Sequence, residues 1–99
     1  MQASEMIRAV LDNIPDEEHW WRGERPVFVG QRCVMTAMPK DVGIGEACAY
    51  IRAELGLTYD VRALPDWNDD PHTTFEDFQL TLKRALARAE EAETQEAPE

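Results

Sequence analysis

The stretch that decides the fold is residues 43–56, GIGEACAYIRAELG. Its apolar side chains recur at helical spacing and share one face, which consists of Ile44, Ala47, Cys48, Ile51 and Leu55. Gly56 follows directly, and a glycine at this place commonly takes the left-handed conformation that ends a helix. The pattern therefore predicts an amphipathic helix that packs one face against a core and ends at Gly56.

Two more amphipathic patterns lie on either side of this helix. In residues 4–14 the apolar positions recur at helical spacing until Pro15 interrupts them. The other pattern begins at Thr73 or Thr74, and with Thr73 as the N-cap, Glu76 stands at the third helical position and completes a capping box. Its apolar stripe consists of Phe75, Phe78, Leu82, Ala85, Leu86 and Ala89. We expect these segments to form the first and last helices.

The segments between these helices are less regular. Residues 33–38 are apolar and closed by Pro39, which predicts a short, largely buried helix of a turn or two. Residues 16–23 combine acidic and aromatic side chains and predict an ordered loop. Residues 26–29 favour extended structure and have residues 59–64 as their candidate partner, so a short two-stranded β element stays open. The expected fold is mainly α, a compact four-helix domain with an ordered aromatic loop.

The length of 99 residues is enough for one small domain and no more. We assign a single helical domain to residues 1–92, and expect residues 93–99, ETQEAPE, to form a disordered acidic tail because they have no apolar face. No apolar run approaches the roughly 18–20 residues that span a bilayer, and the N-terminus lacks the basic flank of a signal peptide. We therefore expect a cytoplasmic protein without membrane contact.

The charge of the chain excludes one class of partner. It has 20 acidic and 10 basic residues, which give a net charge of -10. Direct binding to nucleic acid is not expected, because phosphate binding requires a basic surface. Half of the acidic surplus lies in the last ten residues, in Glu90, Glu91, Glu93, Glu96 and Glu99. An acidic surface of this kind is also open to a different interpretation, as an imitation of nucleic acid that blocks a DNA-binding protein.

The residues that most often carry catalysis or bind metals are few and far apart. Cys33, Cys48, His19 and His72 show none of the close ligand pairs of a structural zinc site. Residues 66–77 place oxygen ligands almost as a calcium loop does, but Pro71 stands where the loop needs glycine. We therefore assign no catalytic residue, metal or cofactor, and expect both cysteines to be reduced thiols in the core.

Two segments are candidate binding sites. In an irregular segment the adjacent side chains of Trp20 and Trp21 tend to point apart, so one of them is expected to stay accessible, and nearby charges include Arg22 and Arg25. Exposed tryptophan beside arginine is typical of protein interfaces. The alternative, in which both tryptophan rings pack on the core, is equally open. Trp67, next to the last helix, is expected to pack on Phe75 or Phe78.

The second candidate is a ligand site in the loop that follows Trp67. Its polar members are Asn68, Asp69, Asp70 and His72. They converge in sequence, and we expect a pocket between this loop and the helix that ends at Gly56.

Several of these features together resemble one known family. They are Trp21-x-Gly23, the segment CVMTAM at 33–38, the Leu-Gly-Leu that ends the central helix, and Trp67-Asn68-Asp69 before the last helix. The chain resembles a family of small proteins of unknown function from actinobacteria and their phages over about residues 4–89. The resemblance implies the fold and a phage or mobile-element origin, and it brings no activity with it.

These observations give one leading hypothesis and two alternatives. The leading hypothesis is a non-enzymatic, phage-encoded interaction protein that engages a host protein through Trp20, Trp21, Arg22 and Arg25. The first alternative is a small enzyme or ligand-binding protein that uses the loop at residues 67–72. The second is the acidic imitation of nucleic acid. A homo-oligomer stays open in each case.

Overall fold

The computed structural model describes residues 1–22, 30–60 and 62–96. Arg25 and the expected extended segment at residues 26–29 lie outside the described residues. The described chain forms one 3-10 turn, Glu17–His19, and four α-helices, which are α1 (Ala3–Asn13), α2 (Ile44–Leu55), α3 (Ala63–Asp69) and α4 (Phe75–Glu96). The prediction of a mainly α, four-helix domain is confirmed. None of the helices in the described ranges is both long and apolar enough to cross a membrane.

The core lies between α1, α2 and α4, each of which packs against the other two. These helices bury the faces that the periodicity predicted, including Ile7 and Val10 of α1, Ile51 of α2 and Leu82 of α4. The helix α2 ends as expected, because Gly56 has a positive φ of 70° and donates its N–H to the carbonyl of Ala53.

The helix α4 begins one residue later than the expected capping box. Thr74 is the capping residue, since its Oγ1 accepts the N–H of Asp77 at 3.0 Å and its own N–H donates to Asp77 Oδ2 at 3.2 Å. Thr73 is buried. The capping box therefore consists of Thr74 and Asp77 rather than Thr73 and Glu76, because aspartate reaches the same backbone group that glutamate does.

The same helix extends beyond the expected end of the domain. It continues to Glu96, so residues 93–96 are helical where a disordered tail was expected. The physical reason is a tertiary contact: both carboxylate oxygens of Glu93 accept hydrogen bonds from Ser4 at the start of α1, from its N–H at 3.1 Å and its hydroxyl at 2.5 Å. Since α1 has unpaired N–H groups at its N-terminus, a carboxylate there is stabilising.

One of the four expected helices is replaced by another. Residues 33–38 form a single turn, closed by a hydrogen bond from the Ala37 N–H to the Cys33 carbonyl at 3.0 Å. Thr36 Oγ1 accepts the N–H of Cys33 at 2.9 Å, and such side-chain bonds compete with helix formation.

The helix that the sequence did not predict is α3. Its residues belong to the candidate strand at residues 59–64 and to the segment up to Trp67 and the loop that follows it. Pro65 is its third residue, where proline needs no hydrogen bond from the preceding turn. Ala63 and Leu64, the last two residues of the candidate strand at residues 59–64, are therefore helical. The described residues contain an isolated parallel β-bridge between Trp20 and Arg32.

Candidate functional site

Trp20 lies in the core rather than on a docking surface. Its side chain is 1% exposed, and its ring centroid lies 5.2 Å from that of Phe78 and 5.8 Å from that of Phe75. The Arg22 guanidinium covers the ring at 4.9 Å from its centroid. The fully packed alternative for this tryptophan is therefore the one that the structure adopts.

Asn68 is the partner that fixes Trp20 in this position. Its Oδ1 accepts the indole N–H of Trp20 at 2.8 Å and the backbone N–H of Val34 at 3.0 Å. Its Nδ2 donates to the Trp21 carbonyl at 3.0 Å and to Asp69 Oδ1 at 3.1 Å. An asparagine side chain has two N–H donors and an oxygen with two lone pairs, so all of its capacity is used internally. We call these contacts the Trp20–Asn68 joint.

The joint connects the two candidate sites that the sequence predicted, the Trp20–Trp21 segment and the loop after Trp67. Its contacts there are structural. Trp21 and Arg22 are half-buried; the Trp21 N–H donates to the Arg32 carbonyl, and Arg22 Nη2 donates to the Asp70 carbonyl. The joint thus connects the aromatic loop, the turn at Val34 and α3. The buried Asn68 amide faces protein groups rather than a ligand.

The remaining members of the expected ligand loop lie on the surface. Asp69, Asp70 and His72 are exposed, and Asp70 Oδ1 accepts the N–H of His72 at 2.8 Å. Hydrogen bonds from the His72 backbone and ring hold the pKa of Asp70 below its usual value. These contacts form a local turn, and of these residues Asp70 lines a groove between α3 and the end of α2, near where the sequence predicted a pocket.

The described histidines and cysteines each have partners close in sequence or in the core. His19 Nδ1 lies 2.6 Å from Asp16 Oδ1, and Cys48 Sγ lies 3.9 Å from the Met38 sulfur. Burial raises the pKa of the Cys48 thiol, which disfavours the nucleophilic thiolate. Within residues 1–22, 30–60 and 62–96, no group of three histidine, cysteine, aspartate or glutamate side chains could hold a metal ion.

An apolar cavity lies beside α3, where the sequence predicted no site. Its volume is about 240 Å³, and its lining comes from the turn at residues 33–38, from α2, and from the segment that leads into α3: Met35, Gly45, Cys48, Arg52, Tyr59, Asp60, Leu64 and Pro65. The Tyr59 side chain is 77% exposed at its mouth, and the Arg52 guanidinium lies 5.0 Å from the centroid of the Tyr59 ring. The cavity therefore opens to solvent beside an aromatic–arginine pair.

A groove runs along another side of α3. Its volume is about 390 Å³, and it is lined by Leu55, Leu57, Ala63, Asp66, Trp67 and Asp70. Leu57 is 40% exposed. Trp67 stacks on Phe78 with centroids 5.7 Å apart, which confirms its predicted packing and leaves it half-buried in the groove. We call Leu57, Tyr59 and Trp67, with the cavity and the groove, the α3 surface.

Comparison with known protein families identifies the family of this chain. The model of a family of unknown function, DUF6197, covers residues 1–88. The chain is a member of DUF6197. No curated protein and no solved structure matches it. The matched region of this DUF6197 protein includes the Trp20–Asn68 joint and the whole of α3, so both belong to the family domain.

One sequence signal could have indicated the α3 surface of this DUF6197 protein. Leu57 and Tyr59 follow the helix-ending Gly56, where apolar side chains are no longer held on the buried face of α2. Large apolar residues in a short interhelical loop either enter the core or remain exposed as a patch. The β-forming character of residues 59–64 concealed this signal.

Proposed function

We propose that this DUF6197 chain is a non-enzymatic protein-binding domain that docks a partner protein on its α3 surface. The observation that carries the proposal is the exposure of Leu57 and Tyr59 beside an apolar cavity and an apolar groove. Exposed apolar side chains that border concave surface are typical of protein interaction sites.

The cavity beside Tyr59 is small for a whole small-molecule ligand. Small-molecule sites usually occupy about 300–1,000 Å³, whereas the cavity beside Tyr59 has about 240 Å³. A space of this size suits one large side chain of a partner, which is how protein interfaces seat their central anchors. Met35 in its lining adds an adaptable surface.

The chemistry around α3 also favours binding over catalysis. The cavity contains the thiol of Cys48, whose raised pKa favours the protonated form. The described lining of the cavity includes no histidine that could act as its base. Asn68 is fully hydrogen-bonded within the protein, so it supports α3 instead of a substrate.

The Trp20–Trp21 loop acts as the support of this docking surface. Through Asn68 it connects to α3, and Arg22 reaches the Asp70 carbonyl at the end of the same helix. We propose a host protein as the partner and a phage or mobile-element origin in actinobacteria, as the sequence resemblance implies. Such a partner would place the protein in the cytoplasm.

The proposal is tested by affinity capture from an actinobacterial lysate with paired variants. Leu57→Ser removes an apolar side chain from the α3 surface, and Leu80→Ser on α4 is the matched control because Leu80 is 45% exposed and Leu57 is 40% exposed. We expect Leu57→Ser and Tyr59→Ala to lose a captured protein that the parent chain and Leu80→Ser retain. Equal capture by all four chains, with circular dichroism showing each to be folded, contradicts the proposal.

A further inference from the structure

The groove beside α3 is apolar inside and acidic at its edge. Ala63, Asp66, Trp67 and Asp70 lie three or four residues apart and so share one side of the helix. Leu55 and Leu57 face them across the groove. The two aspartates are exposed, so that a ligand in the groove contacts carbon on its inner side and carboxylates near the solvent.

The sequence around the groove is acidic, and the two carboxylates that line it lie in exposed pairs with Arg62 and His72. Residues 60–72 contain four aspartates, one arginine and one histidine. The arginine is Arg62, whose Nη2 lies 3.2 Å from Asp66 Oδ1 in an exposed pair, and such pairs are weak and exchange readily. The backbone N–H and the ring of His72 contact the Asp70 carboxylate, and Arg22 contacts the Asp70 carbonyl.

We propose that this groove binds a short segment of the partner protein in which apolar side chains are flanked by lysine or arginine. The proposal rests on the protein-binding function of the α3 surface and names the chemistry of its partner. The apolar side chains pack against Leu57 and Trp67, and the cationic groups lie at Asp66 and Asp70. These two residues are one helical turn apart, so cations about 6 Å apart match them.

Charge disfavours the two other occupants that the chain itself could supply. A second copy would bring another net charge of -10 to the same surface. The end of α4 is acidic as well, and it is engaged elsewhere, because Glu90 pairs with Arg8 at 2.8 Å and Glu93 binds Ser4. A basic segment instead gains from the long-range attraction, which speeds association.

The test is selection from a displayed random-peptide library against the full chain. We expect the enriched peptides to combine leucine or aromatic residues with a positive net charge. Their addition should shift the indole N–H signal of Trp67 in a nitrogen–proton NMR spectrum. Asp66→Asn with Asp70→Asn should weaken binding about three- to tenfold at low salt and less at high salt, because exposed charges are screened.

Matched variants separate the failure of this inference from that of the protein-binding proposal. Asp12→Asn on α1 is the charge control, since Asp12 is exposed and has no partner among the described residues. Enriched peptides that are neutral or acidic, or binding weakened equally by Asp12→Asn, overturn the basic-segment inference and leave the α3 surface in place. Failure to enrich any peptide, or peptides that bind Leu57→Ser unchanged, overturns both.

Discussion

The substitution Asn68→Ala tests the joint that holds α3 in place. It removes the acceptor that two buried donors share, the indole N–H of Trp20 and the backbone N–H of Val34. A buried group without its partner costs about 1–3 kcal/mol, so the loss is about 2–6 kcal/mol. A domain of this size has a free energy of unfolding of about 5–15 kcal/mol. We therefore expect Asn68→Ala to be the most destabilising single truncation of a polar side chain in the described chain.

The measurement is urea unfolding followed by far-ultraviolet circular dichroism, which reports the helices without depending on tryptophan emission. Trp20→Phe completes a double-mutant cycle, because it removes the indole donor that bonds to Asn68. The double variant should be more stable than the sum of the single effects predicts, by about 1–3 kcal/mol. Effects that add within about 0.5 kcal/mol would refute the hydrogen-bond account of the joint.

Three further predictions use pairs of neighbouring or similar residues. Gly45→Ala should raise the free energy of unfolding by up to about 1 kcal/mol, since nothing lies within 4 Å of the added carbon. Gly43→Ala should lower the free energy of unfolding by about 1–2 kcal/mol, because the added carbon meets the Met1 carbonyl. Chemical denaturation measures both variants, and two effects of the same sign would contradict this packing. By the same measurement, Asp77→Ala should lower the free energy of unfolding by about 0.5–2 kcal/mol and Glu76→Ala by much less, because Asp77 is the acid of the capping box. A larger effect of Glu76→Ala would instead indicate that Thr73 is the N-cap. A thiol reagent should label half-buried Cys33 before buried Cys48 in the native protein, and faster labelling of Cys48, followed by mass spectrometry, would show that the cavity opens.

The sequence was sufficient where one helical face determines the structure. The apolar stripes of α1, α2 and α4 are each local and long enough to show a period, and Gly56 marks the end of α2 without reference to the rest of the chain. The helix α3 has only seven residues, with proline in its first turn, so its period could not be distinguished from an extended segment. Its formation depends on packing against residues distant in sequence, and helix propensity carries no information about such packing.

The position of each tryptophan also depended on distant groups. Trp20 and Trp21 are adjacent residues with the same side chain, yet Trp20 is buried, packs on Phe78 and donates its indole N–H to Asn68, 48 residues away. A hydrogen bond between residues so far apart leaves no pattern in a short stretch of sequence. The cavity beside Tyr59 was not predicted for the same reason, since Leu57 and Tyr59 become exposed only through the path that the chain takes from α2 to α3.

The acidic end of α4 shows how composition can mislead about surface charge. Glu90 is paired with Arg8, and Glu93 binds the first turn of α1. A deletion of residues 90–99 would therefore remove bonds to α1 together with charge, and a loss of binding by that variant would not identify an imitation of nucleic acid. Glu91→Gln changes the charge of the same region at an exposed position without a described partner.

For the docking function proposed above, the Trp20–Asn68 joint also determines when during synthesis the α3 surface can form. Because Asn68 bonds to residues that precede it by 48 and 34 positions, α3 gains its support only after most of the polypeptide has left the ribosome and both halves have met. A nascent or clipped chain that lacks either half would present Leu57 and Tyr59 on an unsupported segment. Binding of a partner at the α3 surface would therefore require a chain in which both halves are present and folded together.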